Sequence, residues 1–176
     1  MKFIAPLSVI LMLSFQGCAT KEKTVGDVTD NRPCAANFST EGGFWSGTQY
    51  KTYQIFPKAS KALAFDSLMG SIASAGFQVT SSNKESGLIS ANQTVSYGQG
   101  KTAPINAVIQ GNQSGGVRVD LVFSLSGGVV TSADSVKNEF CKYLSSVSQA
   151  AEAETSKVPP IAPIEPTKAK SKPKKQ

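Results

Sequence analysis

The 176-residue chain contains no histidine. The side chain that most often serves as a general base near neutral pH, and most often ligates transition metals, is missing. Serine–histidine and cysteine–histidine catalysis are excluded with it. Positive charge is also scarce where a nucleic-acid-binding fold would need it. The formal net charge is +6, but Lys157, Lys168, Lys170, Lys172, Lys174 and Lys175 stand against Glu165 alone in the last twenty residues, and Lys2 supplies the remaining unit. Residues 18–156 hold eleven basic and eleven acidic groups. A neutral body has no basic stripe to follow phosphates, so no nucleic-acid partner is expected. The lysine-rich end is either a solubilising tail or a screened, non-specific attraction to anionic headgroups or wall polymers.

Long apolar runs are lacking as well. The apolar run near the start, Phe3 to Phe15, has thirteen residues, too few to cross a hydrocarbon core of about 30 Å as a helix. Behind Met1-Lys2 it has the form of a secretory signal, residues 1–17. The stretch ends at Gln16-Gly17-Cys18-Ala19. Small Gly17 before Cys18 resembles the lipobox of bacterial lipoproteins, with Phe15 and Gln16 where that pattern has an aliphatic and a small residue. The resemblance implies that the Cys18 thiol receives diacylglycerol and becomes the mature amino terminus, so that the membrane is a partner through acyl chains. Ala19, not aspartate, follows the cysteine. In a Gram-negative host the resemblance then implies an outer-membrane protein facing the periplasm.

Two cysteines remain. An exported, oxidising location permits a Cys34–Cys141 disulfide, which would tie the segment around Pro33 to the last helix. The alternative is a buried Cys141 with Cys34 free. Residues 18–47 carry weak periodicity and many breakers and read as a lipidated tether. The sole tryptophan, Trp45, lies in that tether between glycines. Packing onto the domain is its expected fate, with a lipid interface or a partner contact as the other two.

Residues 48–149 read as an α+β domain in the order strand, helix, four strands, helix. Thr48 to Phe56 mixes β-branched and aromatic residues with polar ones and ends at Pro57, as strands do. From the Ser60 cap, Leu63, Phe65, Leu68, Met69 and Ile72 recur at helical spacing up to Gly76. Three hairpin-linked strands follow Phe77-Gln78-Val79-Thr80. In the last two, Ile105, Ala107 and Ile109, then Val119, Leu121 and Phe123, alternate with Asn106, Val108, Gln110, Arg118, Asp120 and Val122. Val136, Phe140, Cys141, Leu144 and Val147 share a face of the closing helix. A mostly antiparallel sheet with both helices on one face buries these stripes. Residues 150–176, with Pro159, Pro160, Pro163, Pro166 and Pro173, read as a disordered basic tail.

The run Ala64-Phe65-Asp66-Ser67-Leu68, then Ala75-Gly76-Phe77-Gln78-Val79 and Lys84-Glu85-Ser86-Gly87-Leu88-Ile89-Ser90-Ala91, resembles the helix, glycine–phenylalanine turn and hairpin of small bacterial envelope lipoproteins. Among these are the helix-grip domains of the BamC type, accessories of outer-membrane protein assembly. The motifs form a fold and carry no chemistry.

A search for chemistry finds little. No acidic residues pair at a spacing that suits a glycosidase. Gly98-Gln99-Gly100-Lys101-Thr102 has the end of a phosphate loop, but the motif's first glycine is missing and a strand, not a helix, follows. No catalytic group, metal or cofactor is expected. The sequence implies a non-enzymatic accessory or scaffold that touches an envelope protein or peptidoglycan, with Trp45 and Tyr97 as candidate contacts. A small-ligand or lipid carrier is the alternative, and it requires a cavity lined by Phe65, Met69, Ile72 and Phe140.

Overall fold

Period-two alternation in the strands requires a sheet with one dry face, and the helical stripes supply its cover. The computed structural model describes residues 30–96, 100–113 and 115–157. Its elements are α1 (Pro33–Ala36), β1 (Ser39–Gly43), β2 (Gly47–Phe56), α2 (Lys61–Ser74), β3 (Gln78–Asn83), β4 (Leu88–Thr94), β5 (Thr102–Gly111), β6 (Val117–Leu125) and α3 (Ala133–Lys157). The strands form one sheet in the order β1-β2-β6-β5-β4-β3, and every neighbouring pair is antiparallel. The chain leaves β2 through α2, lands on the far edge as β3, and returns by hairpins until β6 pairs with β2. The α+β class and the expected strand, helix, four strands, helix order hold, preceded by one short helix and one further strand.

Alternation decides the faces. Tyr50, Thr52 and Phe56 of β2, Ile89 and Ala91 of β4, Ala103 to Ile109 at every second position of β5, and Val117, Val119, Leu121 and Leu125 of β6 are buried. Against them α2 packs Ala64, Phe65, Leu68 and Ile72, and α3 packs Val136, Phe140, Tyr143, Leu144 and Val147. Ser60 caps α2, its Oγ accepting the Leu63 amide at 3.2 Å. At the other end Gly76 takes φ +90°. Its N–H reaches the Ala73 carbonyl at 3.0 Å and the Phe77 N–H reaches Ile72 at 3.4 Å. This double closure turns Phe77 under the helix, where its ring joins the core.

Both limits expected for the domain move outward. The segment read as tether up to residue 47 is folded from α1 onward: Cys34 is buried, and Ser39–Gly43 pairs with Gly47–Lys51. Strand β1 carries no apolar alternation and is exposed along most of its length, so backbone pairing, not burial, makes it a strand. Residue 150 is likewise no boundary, because α3 continues to Lys157 with Ala151 buried.

The N-terminal segment is held by three devices. Cys34 and Cys141 form a disulfide with Cα atoms 5.3 Å apart. The buried Thr52 hydroxyl donates to the Cys34 carbonyl at 2.6 Å. Arg32 bonds both Asp30 and, at 2.7 Å, the Asn138 side chain of α3. The Arg32 guanidinium lowers the Asp30 carboxyl to about 2.

The disulfide spans 107 residues of sequence, and closing a loop of that size stabilises by about 4–5 kcal/mol in the chain-entropy model. Paired Cys34→Ala and Cys141→Ala substitutions are expected to lower the unfolding free energy by roughly 2–5 kcal/mol in denaturant titrations. Reducing agent should lower the midpoint of the unaltered chain and leave that of the double variant unchanged.

Candidate functional site

Because both helices lie on one face, the other face of the sheet is open among the described residues. Strand register sets side chains there in rows. Tyr53 lies opposite Asp120, which lies opposite Val108, which lies opposite Leu88. The next row runs Lys51, Val122, Asn106, Ser90. In the row between Ile55 and Gln110, Arg118 is fixed from two sides: its guanidinium bonds both Asp120 oxygens at 2.6–3.0 Å and stacks 3.9 Å from the Tyr53 ring centroid. The hydrogen bond to Asp120 raises the Arg118 pKa further above its ordinary value. Lys51 pairs with Glu41 at 2.6 Å, and the Ser90 hydroxyl donates to Asn106 at 2.7 Å. Leu88 and Ile55 stay exposed among these polar groups. The result is a flat, mixed surface with its charges neutralised in place. Two-residue spacing puts Arg118 and Asp120 on one face of β6, where they pair; the added feature is the Tyr53 stack, which only the β2–β6 register reveals.

The end of the sheet at the β1–β2 turn gathers three loops. Phe44, Trp45 and Ser46 form a three-residue turn between the paired Gly43 and Gly47. The Gly128 N–H donates to the Phe44 carbonyl at 2.8 Å, and Lys101 Nζ donates to the Gly127 carbonyl at 3.0 Å. A side chain at Gly127 would lie 2.4 Å from the Trp45 carbonyl, so the turn seats directly on this backbone. Trp45 does not pack onto the domain as expected: it is 90% exposed, with Phe44 edge-on at 4.8 Å and 47% exposed. The sequence signal was present, since Gly42-Gly43-Phe44-Trp45-Ser46-Gly47 is a glycine-bearing hairpin loop. Tyr97 and Cys18 lie outside the described residues.

A cavity of about 160 Å³ opens at the same end, between the sheet and the first turns of α3. Phe77, Ile105, Phe123, Val136 and Phe140 make its apolar wall, and Glu139 and Tyr143 its polar side. Of the four residues a carrier pocket was expected to use, Phe140 lines this cavity. Phe65 and Ile72 are buried in the core and Met69 packs against it. Sites that enclose drug-sized ligands run to about 300–1,000 Å³, whereas about 150 Å³ accommodates benzene. The space suits one ring or a short alkyl group.

Two carboxylates of the domain are held in ion pairs. Asp120 is held by Arg118, and Asp66 pairs with Lys84 at 2.6 Å. Among the described residues no group of three His, Cys, Asp or Glu side chains is placed to hold a metal. Lys101, the lysine of the glycine-lysine-threonine motif, bonds Gly127 and leads into β5. No family model and no curated protein matches this chain.

Burial, with the neighbouring Glu139 charge and hydrogen bond, raises the Tyr143 pKa well above its ordinary value of 10.0. The unfolded chain loses this proton near pH 10 while the folded one keeps it, so stability is full below pH 10 and falls as pH rises beyond it. The expected slope from this group is up to about 1.4 kcal/mol per pH unit. Denaturant titrations between about pH 9 and 12 should show a shallower fall for Tyr143→Phe than for the unaltered chain.

Proposed function

We propose that the protein is a non-enzymatic, lipid-anchored envelope protein that works by contact, as an assembly accessory or scaffold against an envelope protein or peptidoglycan. The observation that carries this reading is the open sheet face. Six strands present a continuous surface whose ion pair, amides and hydroxyls are already ordered, with Leu88, Ile55, Val108 and Val122 set between them. Such a surface can exchange hydrogen bonds with a protein strand or a glycan at little cost in side-chain entropy. The lipobox-like Gln16-Gly17-Cys18-Ala19 supports anchoring at Cys18. The likeness of the helix, turn and hairpin to BamC-type lipoproteins agrees with an accessory role. The cavity beside α3 is small for a carrier's cargo, which favours contact over transport.

Anchoring concentrates a weakly binding face near its partner, so affinity need not be high. Two measurements test the reading separately. Cys18→Ser should move the protein from the membrane fraction to the soluble one, with loss of the acyl mass from its amino terminus. A photoreactive residue at Val122 or Asn106 should give discrete adducts in intact envelopes, and one at Lys142 or Ser145 on the exposed side of α3 should give few. Equal labelling from both faces would rule out the sheet as the contact surface.

A further inference from the structure

The aromatic turn between β1 and β2 sits apart from the sheet face, and its chemistry is different. From Gly42 to Tyr50 and from Leu121 to Ala133 the chain holds no charged side chain. These two stretches supply the Phe44-Trp45-Ser46 turn and the loop beneath it, where Val130 is 74% exposed. The charges nearby lie around the rim. Lys101 is exposed and held at Gly127, Asp134 pairs with Lys137 at 2.9 Å, and Glu41 pairs with Lys51. An uncharged apex carrying Trp, Phe and Val, with a lysine at its edge, matches the interfacial zone of a bilayer, where tryptophan rings lie at headgroup level and lysine reaches the phosphates.

We infer that Phe44 and Trp45 insert into the headgroup–acyl boundary of a phospholipid membrane, with Lys101 against its phosphates. The turn is also prepared for the task. Its backbone is bound to Gly127 and Gly128, so insertion orders only two side chains. Near its entry to the fold the chain is tied to the first half of α3: Arg32 bonds Asn138, about 8 Å along the helix from the loop under the turn. Cys18 and Asp30 stand twelve positions apart, a reach of at most about 43 Å. That last argument rests on anchoring at Cys18; the apex chemistry does not.

Trp45 is the chain's sole tryptophan, so intrinsic fluorescence reports on the turn alone. Protein extracted from membranes is reconstituted into phosphatidylethanolamine–phosphatidylglycerol vesicles whose acyl chains are brominated at shallow or deep positions. The chain from residue 18 carrying Cys18→Ser is mixed with the same vesicles. Trp45 emission is expected to shift to the blue in both. Quenching should be severalfold stronger by shallow than by deep bromine. Phe44→Ser and Lys101→Gln should each weaken vesicle partitioning of the unacylated chain by severalfold, and Lys101→Gln should do so with anionic vesicles only. Unaltered thermal midpoints would show that the variants fold. Water-like emission with no quenching at any depth, in protein that mass measurement shows to be acylated, overturns the insertion and leaves the anchor standing. Quenching in the Cys18→Ser chain, with native protein that proves unacylated, retains the insertion and removes the anchor.

Discussion

The structure depends on burial confined to one side of a single sheet. Helices α2 and α3 cover the inner rows of β2, β6, β5 and β4, and the core ends where that cover ends. The outermost strands show the limit. All six residues of β3 are exposed, and β1 buries none of its five. These strands are held by ladder hydrogen bonds, so they are the places where another chain's strand would add most easily. Their make-up opposes that. A register shift between Val79 and Ser81 interrupts β3, and β1 is polar, glycine-rich and five residues long. With its edges guarded, the sheet is left with its open face for interaction.

A four-residue helix such as α1 cannot hold itself in place. Cys34 and Phe38 do that work. The disulfide joins α1 to α3, and the Phe38 ring sits 6.1 Å from both Tyr50 and Phe140. This attachment starts β1 in register with β2 and so fixes where the Phe44-Trp45 turn projects. Tyr50 extends the same connection, donating its hydroxyl to the Thr131 carbonyl at 3.3 Å in the loop beneath the turn. Covalent chemistry at one residue thus determines the position of a surface group ten residues later. Reduction at Cys34 would leave the segment with only polar and aromatic contacts to the rest of the fold.

Legibility in the sequence followed burial. Strands β5 and β6 and the buried face of α3 are readable because their apolar positions keep strict periods of two and 3.6. Ser60 and Gly76 mark the ends of α2 by known capping chemistry. Strand β1 was not readable as a strand, since Ser39-Thr40-Glu41-Gly42-Gly43 buries nothing and owes its form to pairing with β2. The extension of α3 to Lys157 was hard to place because Ala150 to Glu154 favours helix whether or not it packs. Of the site, Arg118 and Asp120 followed from two-residue spacing. The Tyr53 stack required knowledge of the β2–β6 register, which joins residues some sixty-five positions apart. Exposure of Trp45 ran against the expectation of packing: an aromatic residue is usually buried, and no periodicity governs a turn.

The two surfaces are related by the direction of the strands. Strand β2 begins at Gly47, next to the aromatic turn, and ends at Phe56, a length of about 30 Å at roughly 3.3 Å per residue. With the turn seated at a bilayer, the strands rise away from the membrane and the open face stands sideways to it. Rows from Gln49–Ser124 near the turn to Ile55–Arg118 further out then lie at successive heights. Neighbours anchored in the same leaflet would meet this face edge-on, within its first few rows, whereas a polymer layer farther from the membrane would meet only the end beyond Arg118. The Arg118–Asp120–Tyr53 cluster lies toward that outer end, and the half-buried amide of Gln49, bonded to the Ser124 hydroxyl, lies toward the turn. Orientation by two aromatic side chains would therefore select which part of one continuous sheet meets which class of partner.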